Sequence, residues 1–130
     1  MAFVESARQR VAELSDAEDT GLIRERKILE VMLEHCVGRA NAKNWGELER
    51  LFEQRGIRVS RNVFQQQHTD RQGDIFVGSN DHGEVRGYFL IQDLQDAQIM
   101  RGWYENRMAA TRANMDNLDR LIDEAFGVDN

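Results

Sequence analysis

The spacing of apolar residues along the chain predicts its elements. Phe3, Val4, Ala7, Val11 and Leu14 recur at helical intervals and predict a helix over residues 3–14. The polar stretch "DAEDTG", Asp16 to Gly21, breaks it. In "LIRERKILEVMLEHCVG" the positions Ile28, Leu29, Met32, Leu33, Cys36 and Val37 repeat every four residues. They predict an amphipathic helix ended by Gly38. "NWGELERLFEQRGI" predicts a shorter helix with Trp45, Leu48, Leu51 and Phe52 on its buried face. Asn44 is placed to cap it, with Glu47 at the capping-box position, and Gly56 is placed to stop it in a left-handed conformation beside Ile57.

The stretch "VSRNVFQQQHTDR", Val59 to Arg71, predicts one more short helix. Ser60 is a good N-cap, and Val59 and Phe64 have the spacing of a hydrophobic staple. At about 100° per residue, Val63, Phe64 and Gln67 point one way, and Arg61, Asn62, Gln65, Gln66 and Thr69 point the other. The period then changes. Ile75–Val77 and Val85–Ile91 are rich in β-branched and aromatic residues, and "GSNDHG" between them is turn chemistry, which predicts a hairpin. Beyond it Asp93 is placed to cap a helix running to about Phe126. Along that helix Leu94, Ala97, Arg101, Tyr104, Met108, Thr111, Met115, Leu118, Ile122 and Ala125 alternate three and four apart. Eight of these ten are apolar, a seam suited to packing on another helix.

Composition adds bounds. The 130 residues suffice for a core without disulfides, and they read as a single domain with parts 1–20, 21–92 and 93–126. The lone Cys36 excludes an intramolecular disulfide. No apolar run has the length of a membrane span, and "MAFVESARQR" lacks the apolar stretch of a signal peptide, so a cytoplasmic location is expected. The net charge is −6, which by itself argues against a polyanionic partner. Its distribution changes that. Residues 1–20 sum to −3, residues 73–91 to −2 and residues 92–130 to −4, while residues 21–72 sum to +3. The basic middle of an acidic chain therefore coincides with the amide-rich helix.

The element order, with "WGELERLFEQRGIRVSRNVFQQ" followed by "DIFVGSNDHGEVRGYFLI", resembles the winged helix-turn-helix domain over roughly residues 22–92. "RGYFLI" is similar to the second wing strand of prophage-type winged-helix proteins, and "EVRGYFLI" to the wing end of PadR-like regulators. The flanking N-terminal helix and the long C-terminal helix resemble the dimerisation parts of MarR-like and PadR-like proteins. The turn "RGIRV" is longer than the tightest helix-turn-helix turns. The resemblance implies a mainly α protein with a small β-hairpin that binds double-stranded DNA as a homodimer, either a transcriptional regulator or a phage or plasmid accessory factor.

The chemistry agrees with that expectation. A major groove admits one α-helix, and base edges are read by forked donors and acceptors: Arg suits guanine, while Asn and Gln suit adenine. Arg61, Asn62, Gln65 and Gln66 form such a set, with Thr69 beside them. Arg39, Lys43, Arg55, Arg58 and Arg71 are candidates for phosphates. His82 and Arg86, at the hairpin tip, are candidates for an adjacent groove or backbone. Tyr104, Met108, Met115, Leu118 and Ile122 are the candidates for dimerisation.

Other features carry less. His35 and Cys36 are neighbours on a helix and diverge by about 100°, so they do not form a thiol–imidazole pair. Three scattered histidines and one cysteine lack zinc-ligand spacing. No phosphate loop or Ser/His/Asp set is recognisable, so neither catalysis nor a cofactor is expected. "GSNDHG" is better read as a turn than an ion site. Asp93 and Asp96 read as cap and dipole charges, and Met100 and Trp103 as core or interface residues. The competing expectation is a winged-helix module that binds another protein instead of DNA, since a fold does not determine its partner. A DNA mimic would be acidic throughout, and residues 21–72 are not.

Overall fold

The computed structural model describes residues 3–69, 74–80 and 85–127. The chain is mainly helical, with one two-stranded antiparallel sheet and a long C-terminal helix. The elements run α1 (Phe3–Glu13), α2 (Thr20–His35), a 3₁₀ turn (Arg39–Asn41), α3 (Trp45–Gln54), α4 (Arg61–Phe64), a π turn (Gln65–Thr69), β1 (Val77–Asn80), β2 (Gly87–Leu90) and α5 (Leu94–Phe126). It divides into two compact units, residues up to Ala97 and residues from Gln98 onward.

Local chemistry accounts for the helix ends. The Asp19 carboxylate accepts from the Gly21 and Leu22 amides and starts α2. Asn44 and Glu47 form the expected capping box of α3. At its other end the Ile57 amide donates to Phe52 O (2.9 Å) and the Gly56 amide to Glu53 O (3.0 Å), with Gly56 at φ 71°. That is the Schellman pattern, and it buries Ile57 against the core. Asp93 caps α5 by accepting from the Asp96 amide at 2.9 Å.

The first unit has one core. Ala7 of α1, Ile28, Val31 and Met32 of α2, Leu48 and Phe52 of α3, Phe64 of α4, and Val77, Tyr88 and Leu90 of the hairpin are all buried in it. Arg10 of α1 grips Glu25 of α2 with a fork, Nε–Oε2 at 2.6 Å and Nη2–Oε1 at 3.4 Å. The bond to Glu25 raises the Arg10 pKa above its ordinary value.

Three boundaries differ from the sequence-based expectation. Helix α2 stops at His35 rather than continuing to Gly38. Strand β2 takes the backbone groups the helix would have used: Leu90 N donates to Cys36 O at 2.7 Å, and Gly38 N to Leu90 O at 2.8 Å. The second difference is in the hairpin. Gly78, Ser79 and Asn80 belong to β1 rather than to the turn, because they pair with Phe89, Tyr88 and Gly87. Strand β1 accordingly starts at Val77 and β2 at Gly87, later than expected. The third is the π turn after α4, whose wider spacing rotates the residues that follow it. Gln67, expected on the inward side, is exposed, and His68 is buried instead, stacked on Phe64 with ring centroids 5.3 Å apart.

Two glycines test this backbone. Gly87 sits at φ 127°, and a Cβ there would lie 1.9 Å from Lys43 O. The Lys43–Tyr88 backbone pair (3.0 and 2.8 Å) depends on that approach. Gly56 also has positive φ, but a Cβ would meet nothing within 4 Å. Gly56→Ala should cost about 1–2 kcal/mol, the penalty of a left-handed residue. Gly87→Ala should cost clearly more, since backbone must move. Urea unfolding of the two variants checks the order, and equal losses would contradict the close packing of Lys43 on Gly87.

Candidate nucleic-acid interface

The polar residues of the α4 segment are held by two buried rings. Ser60 Oγ accepts from the Val63 amide at 3.2 Å and starts the helix. Phe64 then anchors it, fully buried and in ring contact with Trp45, Phe52, His68 and Tyr88 at centroid distances of 5.1–5.9 Å. Tyr88 reaches it from β2. Its hydroxyl accepts from Arg61 Nε at 3.1 Å and from Gln65 Nε2 at 2.8 Å, and the Arg61 guanidinium lies 5.9 Å from its ring centroid.

The predicted set therefore divides. Asn62 and Gln66, four apart, are exposed. Arg61 is exposed too, but one of its five N–H donors is held by Tyr88. Gln65 is half-buried and spends an amide proton on the same oxygen. Thr69 is half-buried, and its hydroxyl donates back to Gln65 O at 2.8 Å. Gln65 and Thr69 thus help seat the segment instead of presenting freely, which corrects the expectation of five outward side chains.

The cations divide as well. Arg55 is paired with Glu34 of α2. Arg58 is exposed and has no ion pair among the described residues. It lines an open cleft of about 690 Å³ together with Arg24, Glu49, Glu53 and Ser60. Arg39 is half-buried, and its amide donates to the Asp96 carboxylate at 3.2 Å. Lys43 is half-buried, with Nζ 3.4 Å from Asn41 O. Arg86 is exposed ahead of β2. Arg71 and His82 lie outside the described residues.

Two residues with structural consequences escaped the sequence reading. Tyr88 orders both Arg61 and Gln65, yet its position in "RGYFLI" signals only a strand. Asp96, expected as a cap or dipole charge at the start of α5, is buried, and its carboxylate accepts from the Arg39 and Gln92 amides at 3.2 Å each. The cap spacing from Asp93 was legible, but the link to Arg39, distant in sequence, was not.

Cys36 is buried. Desolvation pushes its thiol up to about 12, against a smaller lowering by Lys43. A thiolate is the reactive form, so the folded protein should resist alkylation at neutral pH and react once unfolded. The unfolded thiol ionises near its ordinary 9.0 and the folded one near 12, so stability from this group is complete below pH 9 and falls as pH rises towards 12. Cys36→Ala should flatten that part of a stability–pH curve. Rapid alkylation of the native protein would contradict the burial.

Among the described residues no cluster of His, Cys, Asp and Glu could hold a metal ion, and no helix is long and apolar enough to cross a membrane. No family model, curated protein or solved structure matches the chain.

Proposed function

We propose that the chain is a winged helix-turn-helix protein that binds double-stranded DNA as a homodimer through α5, serving as a transcriptional regulator or a phage or plasmid accessory factor. The observation that carries this reading is the exposed Asn62–Gln66 pair on a segment locked from beneath by Phe64 and Tyr88. Rigid presentation matters because a bidentate amide–adenine contact tolerates little displacement. The element order supports it: α2, α3 and α4 precede a hairpin whose second strand pairs back onto residues 36–43.

In this reading Asn62 and Gln66 meet adenine edges. Arg61 uses its remaining donors on guanine or phosphate. Arg58 takes a phosphate, and Arg39, Lys43 and Arg86 are secondary. Arg55 is demoted, because Glu34 already neutralises it. No cofactor or catalytic step is involved.

A second reading, a protein-binding module on the same scaffold, is favoured by the net charge of −6 and by the engagement of Arg61 and Gln65 with Tyr88. Salt titration of binding to a labelled random duplex separates the two. DNA binding predicts that log K falls with log salt at about 0.9 per phosphate neutralised, and that Arg58→Ala lowers that slope by about one unit on every sequence. If no duplex is retained even at low salt, the protein-binding reading replaces the DNA one.

A further inference from the structure

Helix α5 leaves an apolar stripe uncovered. From Tyr104 to Phe126 every residue except Ile122 is exposed, including Met108, Met115, Leu118 and Leu121. An isolated helix gains little stability from its backbone alone, so a stripe this long implies a covering surface.

The charges along the helix say how it is covered. Residues 98–112 carry Arg101, Arg107 and Arg112 against Glu105 alone. Residues 113–127 carry Asp116, Asp119, Asp123 and Glu124 against Arg120 alone. The first half is basic and the second acidic; Arg101 lies on the seam, and Glu105, Arg107, Arg112 and Asp119 flank it directly. We infer that α5 is covered by α5 of a second copy laid antiparallel, with the basic half of each helix against the acidic half of the other. This rests on the homodimer reading above and adds the orientation.

Residue geometry agrees. Crossing near Asp116 sets Met115 on Leu118 of the second copy and Thr111 on Ile122 of the second copy. Arg112 then flanks Asp119 of the second copy, twice by symmetry. A parallel, in-register pair instead sets Arg107 beside Arg112 of the second copy on both sides, because flanking positions meet five residues apart. Like charges there oppose assembly, and the two helix dipoles would add rather than cancel.

The test is a distance between spin labels on the intact chain. The buried Cys36 thiol is not labelled under native conditions, so Asn106→Cys supplies the site, an exposed position off the seam. With the crossing near Asp116, two Asn106 labels should lie about 30 Å or more apart, at about 1.5 Å per residue. A parallel pair would bring them within about 20 Å, roughly two helix widths. A mixture of Asn106→Cys and Asp123→Cys chains should show the reverse, short when antiparallel and about 25 Å or longer when parallel. Sedimentation of the same samples keeps the two claims apart. A dimer with a short Asn106–Asn106 distance overturns the orientation and leaves the dimer standing. A monomer at tens of micromolar removes both.

Discussion

Met115→Asp combined with Leu118→Asp should abolish the proposed homodimer while leaving the first unit folded. Both side chains are exposed in the single chain, at 58% and 55%, so neither supports its core. Burial of each in a dimer is worth about 1.5–3 kcal/mol, and symmetry doubles the count. Losing four such contacts removes about 6–12 kcal/mol, as much as the whole free energy of a micromolar complex, about 8 kcal/mol, and carboxylates among the remaining apolar groups add to the loss. Deleting residues 112–130 should act in the same direction. Sedimentation equilibrium checks the mass, and the urea midpoint checks the fold. A variant that remains a dimer would mean that the partner does not lie on this seam.

The second large effect is expected at Phe64. Phe64→Ala should destabilise the protein by about 3–5 kcal/mol, the usual cost of truncating a buried aromatic. Phe64 is 0% exposed and touches four rings, each contact adding to the loss. Since a whole domain holds only about 5–15 kcal/mol, the variant should be largely unfolded near body temperature. It should also lose any ligand bound by Asn62 and Gln66, whose seating depends on this ring. A loss under about 1 kcal/mol in urea unfolding would contradict its place at the centre of the core.

Local signals read well in this sequence. Caps depend on residues two or three apart, so Asn44, Ser60 and Asp93 were legible, as was the left-handed stop at Gly56. The period of the apolar residues likewise delivered α1, α3 and the full length of α5. Contacts between distant segments were not legible. Nothing in "EHCVG" says that β2 will bond to Cys36 and Gly38 and end α2 early. A π turn has no periodicity signature of its own, so Gln67 lies away from its expected direction and nothing in the pattern announces the burial of His68. The candidate interface suffered most from this. Residue type identified Arg61, Asn62, Gln65 and Gln66 as a group, but only the position of Tyr88, far along the chain, separates the two that are engaged from the two that are presented. Arg55 and Arg58 look alike in sequence, and Glu34 distinguishes them.

If Asn62 and Gln66 read base edges, as proposed, the effect appears in the ratio of binding to a duplex selected from random sequence over binding to a scrambled one, at a single salt concentration. Asn62→Ala and Gln66→Ala should each lower that ratio by a factor equivalent to about 1–3 kcal/mol while leaving the scrambled duplex bound as before. Arg58→Ala should weaken both duplexes alike. If both amide variants keep the wild-type ratio, the face formed by Asn62 and Gln66 does not read DNA.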